Sequence, residues 1–293
     1  MNTYHTPVLL NEVISGLCIK EGRRYIDATV GGGGHAIEIV KHGGIVLGID
    51  VDREAIEYSK EKFKIKNSKF KENRDWFFIQ GNFKDIEQIA KEHGFGEVDG
   101  ILFDLGVSSH QLDTKSRGFS YRFPDALLDL RMDQSRGMSA REYLQTVSKE
   151  ELYDILATFG EEEHSRTINT AIHSIRTVKP IDTTGALFSV IENAVGKRNA
   201  YGSASRIFQA LRIVINDELN TLEKGLQGAM KLLAVAGRIA VISFHSLEDR
   251  KVKQFFRYTK LKILTNKPIC ASVEECKINI RSRSAKLRIA QKI

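Results

Sequence analysis

The 293-residue chain has little cysteine: only Cys18, Cys270 and Cys276. An odd number without CxxC spacing excludes a disulfide scaffold and leaves no zinc signature, so three free thiols, a reducing compartment and no bound metal are expected. No apolar run approaches the ~20 residues needed to cross a bilayer, and MNTYHTPVLLNEV has no basic stretch ahead of an apolar one. A cytoplasmic protein without a membrane partner is the expectation. Internal repeats and low-complexity segments are also missing, which excludes collagen-like and disordered classes. What is present is an ordinary globular composition, 42% hydrophobic and 28% charged. The length allows one large domain or two of ordinary size.

A net excess of positive charge is missing everywhere except at the C-terminal end. From Arg250 to Ile293 there are thirteen Lys or Arg and two acids, Glu274 and Glu275; that segment carries a net +11 and the first 249 residues carry −4, for +7 in all. Apolar residues interrupt the run at Phe255, Phe256, Tyr258, Ile263, Leu264, Leu287 and Ile289. The charge is therefore expected on an ordered surface, and a polyanion is its natural partner, because neutralised phosphates release counterions.

Residues 24 to 109 alternate between strand and helix patterns, as in a mostly parallel, doubly wound α/β sheet. RYIDATV ends at the run Gly31 to Gly34; GIVLGID ends at Asp50; WFFIQGNF ends at Phe83; VDGILFDLGVSS closes the series. Residues 113–210 show helical stretches instead, including SAREYLQTV, EELYDILATFG and TGALFSVIENAV, and read as an inserted helical domain for substrate recognition. The amphipathic stretch DELNTLEKGLQGAMKLLAVAG then leads into the strand GRIAVISFHS and the helix EDRKVKQFFRYT. The α/β domain is thus expected to be discontinuous, at 1–112 and 211–293.

Open parallel sheets bind ligands beyond the carboxyl ends of their strands, so the residues just after each strand carry the information. Gly31-Gly32-Gly33-Gly34-His35 sits between a strand and a helix, letting backbone approach a ligand closely. No Lys-Ser/Thr follows it, which disfavours a P-loop. Asp50, nineteen residues on, can accept hydrogen bonds from both ribose hydroxyls, while Asp52 is better explained as a helix cap. Up to this point NAD and S-adenosylmethionine fit equally. Phe83 is either an adenine contact or plain core, and Asn82 either an amide contact or a turn former. Asp104 is the sharper signal: it precedes Leu105-Gly106-Val107-Ser108-Ser109, so a carboxylate, a glycine and two hydroxyls meet at the crevice. That set suits methyl transfer to a weak amine nucleophile.

HTPVLLNEV (5–13), DATVGGGGH (27–35), FDLGVSSHQLD (103–113), RGFS (117–120), FQALRI (208–213), ISFHSLEDR (242–250) and RSRSAKLR (281–288) together resemble the bacterial ribosomal RNA small-subunit methyltransferase H family. The resemblance covers nearly the whole chain. It implies a class I, Rossmann-like methyltransferase with an inserted helical domain, using S-adenosylmethionine to methylate N4 of one cytosine in the decoding centre of 16S rRNA in the 30S subunit. Motif by motif, it implies cofactor contacts at Gly33, Gly34, His35, Asp50, Phe83, Asp104 and Gln111. The chain departs from the family pattern at Leu127, at Gly202-Ser203, at Ile280 and at Glu163-His164, all outside that set.

Cytosine N4 is a poor nucleophile, and a stacked base is out of reach, so the target must be exposed or flipped. Asp104 with Ser108 or Ser109 and the Ser243-Phe244-His245 strand end are the candidates to surround it, Phe244 stacking on the ring or serving as core, His245 acting as general base or as a hydrogen-bonded structural residue. Arg206, Arg212, Arg281, Arg283, Lys286 and Arg288 are candidates for phosphate contacts. Oligomeric state stays open, a homodimer included. Two rivals are a nicotinamide-dependent oxidoreductase, which leaves DLGVSS and the basic end unexplained, and a non-catalytic ribosome-assembly factor that retains the fold.

Overall fold

The computed structural model describes residues 7–66 and 69–293. Residues 5 and 6 of the motif HTPVLLNEV lie outside the described residues. The chain forms two compact units, one from the described residues through Ser108 together with Leu219–Ile293, the other Ser109–Glu218.

In the first unit the elements run α1 (Leu10–Leu17), β1 (Arg24–Asp27), α2 (Gly34–Lys41), β2 (Ile45–Asp50), α3 (Arg53–Lys66), β3 (Trp76–Gln80), α4 (Ile86–Glu92) and β4 (Val98–Asp104). The second unit contributes α5 (Ser109–Asp113), α6 (Ala140–Thr146), α7 (Lys149–Thr158), α8 (Ser165–Arg176), α9 (Thr184–Val195) and α10 (Lys197–Ile215). Then follow α11 (Glu218–Leu232), β5 (Leu233–Ser243), α12 (Ser246–Tyr258), β6 (Leu261–Ile263), α13 (Val273–Ile278) and β7 (Lys286–Lys292).

The seven strands order as β3-β2-β1-β4-β5-β7-β6. Strands β1 to β5 pair in parallel, while β7 runs antiparallel between β5 and β6. The order reverses between β1 and β4, which opens a crevice at their carboxyl ends. Alternate residues of each strand enter opposite apolar clusters: Ile26, Leu47, Ile101 and Val241 in one, Tyr25, Val46, Leu102 and Ala240 in the other. Period-two alternation with both faces apolar means that helices cover both sides. Leu222, Leu226, Val252 and Phe256 close the first face; Val13, Ile39, Ile56 and Phe63 close the second.

The second unit is helical around Leu144, Leu152, Leu156, Ile168, Leu187, Ile191, Ile207 and Leu211, all buried. Its helix starts are written locally. Ser139 and Glu142 form a capping box on α6, and Ser148 and Thr183 cap α7 and α9. In RGFS, buried Arg117 donates to the Met132 carbonyl at 2.7 Å, and Gly118 holds φ +67° where a Cβ would lie 2.2 Å from Leu127 O. Only glycine fits there.

Several boundaries differ from the sequence expectation. The units divide at 108/109 and 218/219 rather than 112/113 and 210/211, because α10 continues unbroken to Ile215. β3 stops at Gln80, since Asn82 caps a 3-10 turn at Phe83–Asp85. Within the amphipathic stretch that runs to Gly237, the helix ends at Leu232, and the strand that pairs with β4 already begins at Leu233 rather than at Gly237. β7 was not foreseen as a strand. Among the described residues no helix is long and apolar enough to cross a membrane.

Candidate active site

Three strands of the first unit end in a carboxylate: β1 at Asp27, β2 at Asp50 and β4 at Asp104. Asp50 is fixed by backbone donors, its Oδ2 accepting from Gly31 N at 2.8 Å and its Oδ1 from Asp52 N at 2.9 Å. Each carboxylate oxygen has two lone pairs, so capacity remains for hydroxyl donors. Asp52 caps α3, accepting from Glu54 N at 3.1 Å. The glycine loop is strapped from α3 as well: Ser59 Oγ donates to Gly31 O at 2.6 Å and Lys62 Nζ to Gly32 O at 2.7 Å. Gly31 and Gly33 hold positive φ, and a Cβ on Gly34 would touch Pro7 at 3.0 Å. These positions need glycine, and the loop they form is held rigid.

Asp27 escaped the sequence reading. It is 1% exposed, and its Oδ1 accepts from Thr29 N at 3.3 Å. Burial pushes its carboxyl up to about 8, with the Thr29 N–H opposing the rise and the Asp104 and Asp50 carboxylates adding to it. Thr29 joins the strand ends, since its Oγ1 accepts from Asp104 N at 2.6 Å.

His35 is buried at the start of α2. Its Nε2 lies 3.0 Å from Val8 O, and a carbonyl only accepts, so that nitrogen carries the hydrogen and Nδ1 faces Asp104 Oδ2 at 3.7 Å. After Asp104 the loop turns at Gly106, φ +87°, where a Cβ would sit 3.5 Å from the Phe244 ring. Phe244 is half-buried behind that loop and packs on the adjoining apolar cluster, while Ser108 is the last residue of this unit. The same loop is tied from the C-terminal segment, where Arg281 Nη2 donates to Val107 O at 2.8 Å.

His245 is hydrogen-bonded at the start of α12. It is the N-cap of α12: its Nδ1 lies 3.4 Å from Glu248 N, and Glu248 reaches back to the backbone of Phe244 and His245. Its Nε2 is buried 3.2 Å from Glu248 Oε1, off the line of a good hydrogen bond. Phe83 meets Phe103 edge-on with centroids 5.5 Å apart, and Asn82 caps the turn before it. Ser109 and Gln111 belong to the second unit, where Gln111 is buried.

Most of the arginines expected to meet phosphates are engaged by acceptors of the protein itself. Arg288 makes a two-pronged pair with Asp249, at 2.6 and 3.0 Å, and is 7% exposed. Arg212 pairs in the same way with Glu218, at 2.7 and 2.9 Å, and Arg206 meets the buried Glu162 at 2.8 Å. With Arg281 on a backbone carbonyl, four of the six have their guanidinium groups held by protein acceptors. Arg283 is exposed and Lys286 half-exposed.

A family model described as the MraW methylase family matches residues 2–293. Ribosomal RNA small subunit methyltransferase H of Oceanobacillus iheyensis is 42% identical, over 99% of this chain and 94% of the relative. Proteins of the same name from Finegoldia magna and Clostridium botulinum are 42% and 43% identical, with 100% of both chains covered in each case.

Proposed function

Because the chain belongs to the MraW methylase family, we infer that it is an S-adenosylmethionine-dependent enzyme that methylates N4 of a cytosine in the decoding centre of 16S rRNA, within the small ribosomal subunit. The observation that carries this reading is the similarity to ribosomal RNA small subunit methyltransferase H relatives along the whole length of the chain. With it, the nicotinamide-dependent alternative is set aside.

The residues fit the cofactor. Two glycines at positive φ and a third against Pro7 make a loop that side chains cannot enter, and Asp50 stands beside it as a fixed acceptor for ribose hydroxyls. Gly33, Gly34, His35, Asp50 and Phe83 would hold the nucleoside part, with Gln111 assigned by resemblance alone. When bound, S-adenosylmethionine supplies an electrophilic methyl group. Asp104 accepts a hydrogen bond from the exocyclic amine, directing its lone pair, and takes the proton that the nitrogen loses on alkylation. Ser108 and Ser109 supply further acceptors for the amine, and Phe244 offers an aromatic face to the base. The raised Asp27 carboxyl, when protonated, lessens the negative charge beside Asp104. The helical unit recognises the substrate, and Arg283 and Lys286 remain for phosphates.

The test is transfer of labelled methyl to purified 30S subunits that lack the modification, followed by nucleoside analysis. N4-methylated cytidine at one position is expected; label in another nucleoside, or none, overturns the reading. Light scattering on the same preparation separates a monomer from a homodimer.

A further inference from the structure

Four aromatic rings of the second unit gather at one place. Tyr121 stacks on Phe188 with centroids 5.5 Å apart and planes at 30°, Phe188 meets Tyr201 at 5.2 Å, and Phe208 stands edge-on to Tyr121 at 5.4 Å. The cluster is open on one side. Here Phe208 is buried, Tyr121 and Phe188 are half-buried, and Tyr201 is 67% exposed. The space beside Tyr201 is open, since a Cβ on Gly202 would meet only Arg206 Nη1, at 3.5 Å.

Two exposed cations stand beside the rings. Lys197 and Arg198 begin α10, four and three residues before Tyr201, so they share its side of the helix. Both are exposed, and neither makes an ion pair among the described residues. The first turn of α10 holds no acid. Cations at the positive end of a helix dipole oppose it, so their placement costs stability and favours an incoming anion. Exposed rings beside uncompensated cations match single-stranded nucleic acid, whose bases stack on aromatic faces and whose phosphates seek Lys and Arg. Paired RNA keeps its base faces covered.

We propose that Tyr201, backed by Tyr121 and Phe188 and flanked by Lys197 and Arg198, is a stacking platform for an unpaired nucleotide of the ribosomal RNA other than the one methylated. The proposal rests on the rRNA-methylating function inferred above.

The full chain is compared with Tyr201→Ala, Tyr201→Phe and the double variant Lys197→Ala/Arg198→Ala. Ligands are unmodified 30S subunits, a fluorescent unstructured oligoribonucleotide from the target region, and its duplex. The wild type should prefer the single strand. Tyr201→Ala should weaken oligonucleotide binding and raise the KM for subunits about tenfold, the effect of losing one stacked base. Tyr201→Phe should retain both, and affinity for S-adenosylmethionine should be unchanged in all variants. The double variant should flatten the salt dependence of binding. Wild-type binding and KM in Tyr201→Ala and in the double variant overturn the platform. So does loss confined to subunits with oligonucleotide binding intact, which assigns the surface to a protein contact. A wild type that binds the oligonucleotide but transfers no methyl to subunits refutes the inferred function and leaves the platform standing.

Discussion

Replacing Asp27 by Asn tests whether a neutral acid sits at the centre of the crevice. The side-chain amide introduced by Asp27→Asn keeps an oxygen to accept from Thr29 N and copies the shape of the protonated carboxyl. The folded-state value near 8 lies above the ordinary 3.8, so between those limits the native state holds a proton that the unfolded chain has released. The sign follows from linkage: the stabilisation from Asp27 is fully present below about pH 3.8 and is lost as pH rises toward about 8. The slope is about 1.4 kcal/mol per pH unit for one proton. Urea unfolding of both proteins at pH 5, 6, 7 and 8 gives a difference curve from which shared titrations cancel. Asp27→Asn should gain on the wild type by roughly 1 kcal/mol per unit across that range, and level off above it. A difference that stays flat from pH 5 to 8 means that Asp27 is ionised in the native protein, and the argument from burial fails.

Asp104→Asn should fold as the wild type and bind S-adenosylmethionine, yet lose most methyl transfer to 30S subunits; wild-type turnover removes Asp104 from proton transfer. Asp50→Ala should weaken S-adenosylmethionine binding by about 1.5–3 kcal/mol, the worth of hydrogen bonds to a charged group, as read by calorimetry. Arg288→Ala strips the half-buried Asp249 of its partner and should cost about 3 kcal/mol of unfolding free energy, measured by urea titration. Arg283→Ala, by contrast, should leave stability unchanged and lower the salt slope of RNA binding by roughly 0.7 if it meets one phosphate.

The strands that frame the crevice were legible because buried parallel strands write themselves as short apolar runs closed by a polar residue: GIVLGID stops at Asp50 and GILFD at Asp104. Asp27 was not legible for the opposite reason. In RYIDATV it looks like the polar end of an ordinary strand, and its burial comes from β4 and Thr29 closing over it, which no local pattern encodes. β7 was hidden by its own charge. In KLRIAQK the apolar positions alternate with Lys, Arg and Gln, and the density of cations outweighs the period of two; Arg288 tolerates a buried place because Asp249, 39 residues earlier, meets it.

The same physics explains why charge density pointed to a nucleic-acid partner while singling out arginines that the fold employs internally. A count of Lys and Arg measures the field a segment can generate, and a field depends on how much of that charge is compensated. Arg206, Arg212 and Arg288 each have a carboxylate within 2.9 Å, drawn from residues 162, 218 and 249, so their net contribution to an approaching phosphate is small. Their partners lie 6 to 44 residues away and are brought to them by the fold. His245 follows a related rule: H-S-L-E has the spacing of a capping box with histidine in place of serine, so Glu248 three residues on was the sign that the ring caps α12. Arg283, Lys197 and Arg198, by contrast, have no carboxylate in salt-bridge contact among the described residues, and it is on such uncompensated cations that recognition of a polyanion must rest.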